Sequence, residues 1–428
     1  MRRVRILMYH RVEYLNDDYN MQAVTPANFE KHMRYLRDHY EILRLDVPIE
    51  SWFKNQSKDA VIVTFDDGYY DFLQNAVPIM EKYDIPATVF VSTGNIDSQY
   101  ENWTDSILRA VFSDAKQRDS YTFETEYYRG KFPTGNWEEK YKFYKMIREL
   151  FIVSSAARRK QYEQQLLEWA GLTMEGRRSR KIMTTKELLE ISARKEISIG
   201  AHTVTHCSLK HQEVSEQQYE IRESKRILEE ITGQEVKLFA YPFGTQNHYS
   251  DVTIRLLQEA GFEKAVVAFP DVISENTNIY ELNRFMVKNY DETDFGNYMK
   301  QVVFQDEKLV CGGNHVPTGK QVDYIGVLQE DSVLIADNPL VIWGAGYWGR
   351  ALYAELSLMG LEKRIVAFGD NDDKKFGNVL ENRPVLNYVM VKEMQKENDC
   401  HILVKGNYAF EICKGLLRRK LYNIHLII

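Results

Sequence analysis

A chain of 428 residues has room for two or three domains. Its composition, 44% hydrophobic and 27% charged, excludes wholesale disorder. With 62 acidic and 55 basic side chains it carries a net charge of −7, which excludes the basic footprint of a general nucleic-acid binder.

Taken in chain order, short apolar runs alternate with helical spacing, the pattern of an α/β protein. Strands are expected at 5–8, 60–65, 87–91, 197–201, 237–241 and 264–268. Phe29, Met33, Leu36 and Tyr40 recur at helical spacing, as do Ile221, Ser224, Leu228 and Ile231. Leu256, Leu257 and Ala260 followed by Gly261 predict a helix with its stop. Residues 99–181 break this rhythm and read as an insertion, with helices at 138–151 and 156–169. Its basic clusters, around Arg158 to Lys160 and Arg177 to Lys181, are expected as solvated faces. A second unit begins near Asp331, with strands at 340–343, 364–368, 402–404 and 424–428. No apolar run approaches the roughly 18 residues of a membrane span. The basic, then briefly apolar N-terminus reads as a first strand and not as a signal peptide. Cys207, Cys311, Cys400 and Cys413 show no paired spacing, which fits reduced thiols in a cytoplasm. Cys311 falls in a loop-like stretch with no assigned role.

The strand at 60–65 runs into Asp66-Asp67-Gly68. Two carboxylates then stand at the C-terminal rim of a parallel sheet, where α/β folds carry their chemistry. Adjacent side chains at a strand end point apart, so one can hold a metal while the other moves a proton. The strand at 197–201 empties into His202-Thr203-Val204-Thr205-His206. If a helical turn starts at His202, the two imidazoles share a face and grip one cation. Two histidines and a carboxylate, with positions left for water, suit hydrolysis. Tyr241-Pro242-Phe243-Gly244 is another strand exit, whose Phe243 amide can donate to a developing oxyanion. His10 closes the first strand in Leu7-Met8-Tyr9-His10 and can act as an acid on the same rim.

Together these residues resemble the polysaccharide deacetylases of carbohydrate esterase family 4, the NodB type, over roughly residues 1–330, with 99–181 as a departure. Thr64-Phe65-Asp66-Asp67-Gly68 matches the first family motif and His202-Thr203-Val204-Thr205-His206 the second. The resemblance implies a distorted (β/α) barrel, a divalent metal that is usually zinc, and hydrolysis of an N-acetyl group on a sugar. It implies Asp66 as general base, Asp67, His202 and His206 as metal ligands, and the Phe243 amide in the oxyanion hole. Leu7-Met8-Tyr9-His10 resembles the N-terminal motif of permuted members such as the poly-N-acetylglucosamine deacetylases, which implies His10 as general acid. Many members carry an arginine near the third motif that contacts the base. Ala240 and Tyr241 stand in that neighbourhood here, so Arg284 is expected to orient Asp66. Trp103, in Asn102-Trp103-Thr104-Asp105, offers its face to a sugar ring or to the core, and Tyr241 is a second expected substrate contact.

Further on, Val341-Ile342-Trp343-Gly344-Ala345-Gly346-Tyr347-Trp348-Gly349 sets G-x-G-x-x-G between a strand and a helix, with Asp370 after the next strand. This order predicts a small, doubly wound, Rossmann-like domain at 331–428. Gly344, Gly346 and Gly349 would cradle a diphosphate, with Asp370 on a ribose hydroxyl. It resembles the small Rossmann-like domains attached to glycan-assembly enzymes, which implies a nucleotide or nucleotide-sugar ligand; a ligand-free domain is the alternative. The expected whole is a cytoplasmic, metal-dependent N-deacetylase acting on an N-acetylated sugar or glycan precursor, with no nucleic-acid partner and no signal for oligomeric state. Its rivals are deformylation or another amide cleavage on the same scaffold, and a non-catalytic glycan- or nucleotide-binding protein. The retained Asp66 speaks against the last, because binding alone needs no base.

Overall fold

The structure, a computed structural model, describes residues 3–15, 18, 22–53, 58–113, 118–124, 129–301, 322–325, 338–345, 347–358, 360–405, 416, 419, 421 and 423–427. The chain divides into two compact units, Met1–Gly135 with Met146–Met299, and Asn136–Lys145 with Lys300–Ile428.

In the first unit the apolar runs become parallel strands β1 Val4–Tyr9, β2 Ala60–Phe65, β3 Ala87–Val91, β4 Ile197–Ala201, β5 Leu238–Ala240 and β6 Lys264–Val266. They are neighbours in chain order, and β7 Arg284–Met286 pairs with the free side of β1. A parallel bridge from Val266 to Leu282 brings β6 round toward β7, so the sheet is a nearly closed barrel. β1 and β2 pair in register from Val4↔Ala60 to Tyr9↔Phe65. Both are buried at every position, as expected of strands covered on both faces. The covering helices follow from their apolar stripes. α1 Pro26–His39 starts on Thr25, whose hydroxyl accepts from the Asn28 N–H, with Pro26 at its first turn. It buries Phe29, Met33 and Leu36 completely, each worth about 1.5–3 kcal/mol. The insertion supplies α2 Trp103–Phe112, α3 Trp137–Val153 and α4 Ala156–Ala170. After it comes α5 Val214–Thr232, which stops at left-handed Gly233. Among the described residues, no helix is long and apolar enough to cross a membrane.

The second unit holds a sheet of β8 Val322–Ile325, β9 Leu340–Trp343, β10 Ile365–Gly369, β11 Val379–Leu380, β12 Arg383–Leu386, β13 His401–Lys405 and β14 Ile424–Ile427. Their spatial order is β8-β14-β13-β9-β10-β12-β11, parallel except for β11 on β12. Alternate residues face opposite ways: Val341 and Trp343 join one apolar cluster, Leu340 and Ile342 another. β8 precedes residue 331, so this sheet takes up a strand that the division drawn from sequence left with the barrel. Cys207 and Cys400 are buried free thiols, while Cys311 and Cys413 lie outside the described residues.

Candidate active site

Because the barrel strands are parallel, their C-terminal ends share one mouth, and the chain leaves them through His10, Asp66-Asp67, His202 and the turn at Phe243. One ligand atom each from Asp67, His202 and His206 lies within 4.8 Å of the others. His206 Nε2 is 3.3 Å and His202 Nε2 3.7 Å from Asp67 Oδ1. His202 Nδ1 lies 2.7 Å from the Ala240 carbonyl. Nδ1 therefore carries the proton, and Nε2 presents a lone pair to the cluster. Asp67 Oδ1, which both Nε2 atoms approach, is buried without a hydrogen-bond partner. Lone pairs crowded together out of water repel one another unless a cation sits among them, so these residues fit a divalent metal. Burial holds the His202 imidazole down at about 4, which keeps it a neutral ligand. For Asp67, burial pushes the carboxyl up, but the imidazoles of His206, His10 and His202 together hold it well below the usual range.

The two histidines do not meet on a helical turn, as their spacing predicts. Thr203 has φ +64° and His206 φ +49°, so the segment bends back on itself through left-handed residues. Asp67 (φ +73°) and Phe243 (φ +64°) share this strained region, which costs a non-glycine residue about 1–3 kcal/mol and needs surrounding structure to hold it.

Asp66, beside this cluster, belongs to a different pair. Arg284 Nη1 donates to its Oδ1 at 2.6 Å and Nη2 to its Oδ2 at 2.7 Å. The fork is itself fixed, with Nε on the Val267 carbonyl at 3.1 Å and Nη1 also on Thr64 Oγ1 at 3.2 Å. Both side chains are almost wholly buried. Burial pushes the Asp66 carboxyl up, yet the Arg284 guanidinium, with His202 and His10, brings it below its ordinary value. His10 is half-buried; burial lowers its pKa, against the opposing pull of Asp67 and Asp66. The Phe243 turn is pressed onto backbone. A Cβ on Gly244 (φ +61°) would stand 2.3 Å from Ala268 N, so only glycine fits there.

Trp103 is 7% exposed and borders the cluster, with its ring 6.3 Å from that of His206 and 6.1 Å from that of Phe243. Its Nε1 donates to the His206 carbonyl at 3.2 Å. Tyr241 corrects the expectation of a substrate contact. It is 1% exposed, its hydroxyl donates to the Tyr280 carbonyl at 2.9 Å, and its ring stacks on Tyr249. The arginine clusters of the insertion are not simply solvated either. Arg177 pairs with Glu101 at 2.9 Å and Arg180 with Asp105 at 3.0 Å, while Arg159 Nη2 donates to Thr205 Oγ1 at 2.6 Å. Sequence reasoning also missed Glu220 of α5, whose Oε2 accepts from the Val204 N–H at 2.8 Å and the Thr205 N–H at 2.9 Å. Its signal is visible in hindsight, because Gln217, Glu220 and Ser224 put polar groups on a buried helical stripe.

In the second unit, the turn after β9 brings Gly344 and Gly349 so close that a Cβ on Gly349 would stand 1.7 Å from the Gly344 carbonyl oxygen. Gly346 lies outside the described residues. The Asp370 carboxylate, expected on a ribose, is fastened to its own chain. Oδ2 accepts from the Ala345 N–H at 2.7 Å and Lys375 Nζ at 3.0 Å, and Oδ1 from the Asp372 N–H at 2.9 Å.

Residues 53–265 match the family model described as polysaccharide deacetylase. YxkH of Bacillus subtilis (strain 168), provisionally named a polysaccharide deacetylase, is 22% identical over 304 residues, which cover 69% of this chain and 76% of that protein. Poly-beta-1,6-N-acetyl-D-glucosamine N-deacetylase of Staphylococcus aureus (strain MSSA476) is 28% identical over 134 residues, 28% of this chain and 46% of that one. Among solved structures, Streptococcus pyogenes deacetylase PplD in complex with acetate aligns with a TM-score of 0.44 at 20% identity, over 69% of this chain and 98% of that chain. IcaB from Ammonifex degensii aligns with a TM-score of 0.43 at 15% identity, over 71% and 97%.

Proposed function

We propose that this chain, which carries a polysaccharide deacetylase domain over residues 53–265, is a metal-dependent hydrolase that removes the N-acetyl group of a sugar. The observation that carries this is a buried Asp67, His202 and His206 cluster beside a separate carboxylate, Asp66, held in the fork of Arg284. A protein that only bound a glycan would need no second carboxylate.

Asp67, His202 and His206 would hold the cation, and two imidazoles with one carboxylate suit zinc. A divalent ion supplies polarisation of the acyl oxygen and a lowered pKa for water. Asp66 takes the proton of the water that attacks the amide carbon, and Arg284 keeps Asp66 ionised and aimed. The Phe243 N–H donates to the oxygen that gains charge in the transition state. In its protonated form His10 delivers a proton to the leaving amine as the C–N bond breaks, so acetate and a free amino sugar depart. The staphylococcal relative is named for a β-1,6-linked N-acetylglucosamine polymer, so glycans of that sugar head the substrate panel.

The test is acetate release from N-acetylated oligosaccharides, nucleotide sugars and lipid-linked glycans. Release should stop with a chelator and return when zinc is added. Release untouched by chelation would refute the metal-dependent mechanism.

A further inference from the structure

We infer that two residues of the insertion, Trp103 and Arg159, form part of the metal site's support: they are positioning residues that, with Glu220, set the segment carrying His206. The inference rests on the metal-binding reading above and concerns what aims the ligands.

The two histidines are aimed differently. His202 is anchored through its own ring, by Nδ1 on the Ala240 carbonyl. His206 has no such anchor, because its Nδ1 has no hydrogen-bond partner. Its direction therefore comes from its backbone and its ring contacts. That backbone is strained, with Thr203 and His206 both left-handed, so something must hold it.

The structure supplies two clamps on opposite sources of chain. One comes from the barrel helix α5, where Glu220 accepts from the N–H groups of Val204 and Thr205. The other comes from the insertion. Arg159, 3% exposed, donates through Nη2 to Thr205 Oγ1 at 2.6 Å and through Nη1 to the Ser154 carbonyl at 3.2 Å. Thr205 Oγ1 in turn donates to Glu220 Oε1 at 2.5 Å, so one hydroxyl ties the two clamps together. Trp103 adds the bond from Nε1 to the His206 carbonyl, and its ring sits 5.6 Å beneath the Arg159 guanidinium. Partners one shell out from a metal typically set ligand orientation and affinity.

The experiment titrates the full-length protein with zinc against a competing chelator, and records the cobalt(II) visible spectrum as a report of ligand geometry. Thr205→Val keeps the shape and removes the hydroxyl; Trp103→Phe keeps an aromatic ring but removes the indole N–H together with the second ring. Each should weaken zinc binding about 10–100-fold and alter the cobalt spectrum, while Thr205→Ser stays within about threefold of wild type. Circular dichroism confirms that each variant is folded, and a variant that unfolds is replaced in the comparison by the other. If folded Thr205→Val and Trp103→Phe bind zinc as wild type does, the clamp is refuted and the metal site stands. If wild type itself takes up no zinc, the metal site is refuted and the clamp falls with it.

Discussion

At the scale of single residues, the Asp66–Arg284 pair sets the strongest constraint. Breaking a buried, bidentate ion pair leaves one charge out of water without its partner, which costs roughly 3–5 kcal/mol. Arg284→Gln should therefore lower the unfolding free energy read from urea melts by that amount, and a value within error of wild type would show the pair to be dispensable. Asp66→Asn removes the base and the charge partner of Arg284, but no ligand. Acetate release should fall on the order of 10²–10⁴-fold with zinc affinity kept; full activity would place the base elsewhere. His32 gives a pH dependence away from the site. It is fully buried, with Nε2 on the Tyr290 carbonyl at 2.9 Å and its ring stacked on Phe295. Burial lowers its pKa from 6.5 to about 4. The unfolded chain thus binds a proton that the native chain refuses, and stability falls as pH drops from about 6.5 to about 4, by about 3 kcal/mol for this group. His32→Phe should flatten that part of the curve in urea melts at pH 7 and pH 5, and an unchanged slope would contradict the assignment.

At the scale of elements, what the chain announces is the strand interior. The runs at 60–65, 87–91 and 197–201 form strands with those bounds; the first two are rich in β-branched and aromatic residues, which have few alternatives, while Ile-Ser-Ile-Gly-Ala at 197–201 is short and pairs along its whole length with Ala87–Val91. β7 was not visible as a strand. It is three residues long, Arg-Phe-Met, and exists because β1 offers it an edge. The Asp66, Asp67, His202, His206 constellation is legible as strand exits, but its geometry is not. Nothing in Thr203 or His206 as residue types signals a left-handed backbone, so the expected helical turn gave way to a bend set by tertiary contacts. For the same reason the insertion's arginines looked solvated, since their partners Glu101, Asp105 and Thr205 stand far off in the chain. Gly244 belongs to this scale too. Gly244→Ala combines left-handed strain with a collision against Ala268 backbone, and should destabilise by about 2 kcal/mol or more as read by thermal melting. A neutral effect would mean the Phe243 turn is not pinned as described.

At the scale of the molecule, the barrel presents its chemistry at one mouth, and the insertion walls that mouth with Trp103 while holding the His206 segment. A cation bound only by the native chain must stabilise it. Zinc at 100 times its dissociation constant should add about 2.7 kcal/mol, and His206→Gln should abolish most of that gain in thermal shift. An equal gain in the variant would put the ion at another site. The most direct measurement is anomalous scattering at the zinc edge from crystals of the full chain. One strong peak is expected about 2.0–2.2 Å from His202 Nε2, His206 Nε2 and an Asp67 oxygen, with Asp66 still on Arg284. A protein whose zinc peak lies away from these three side chains, or that shows none after soaking, would contradict that expectation.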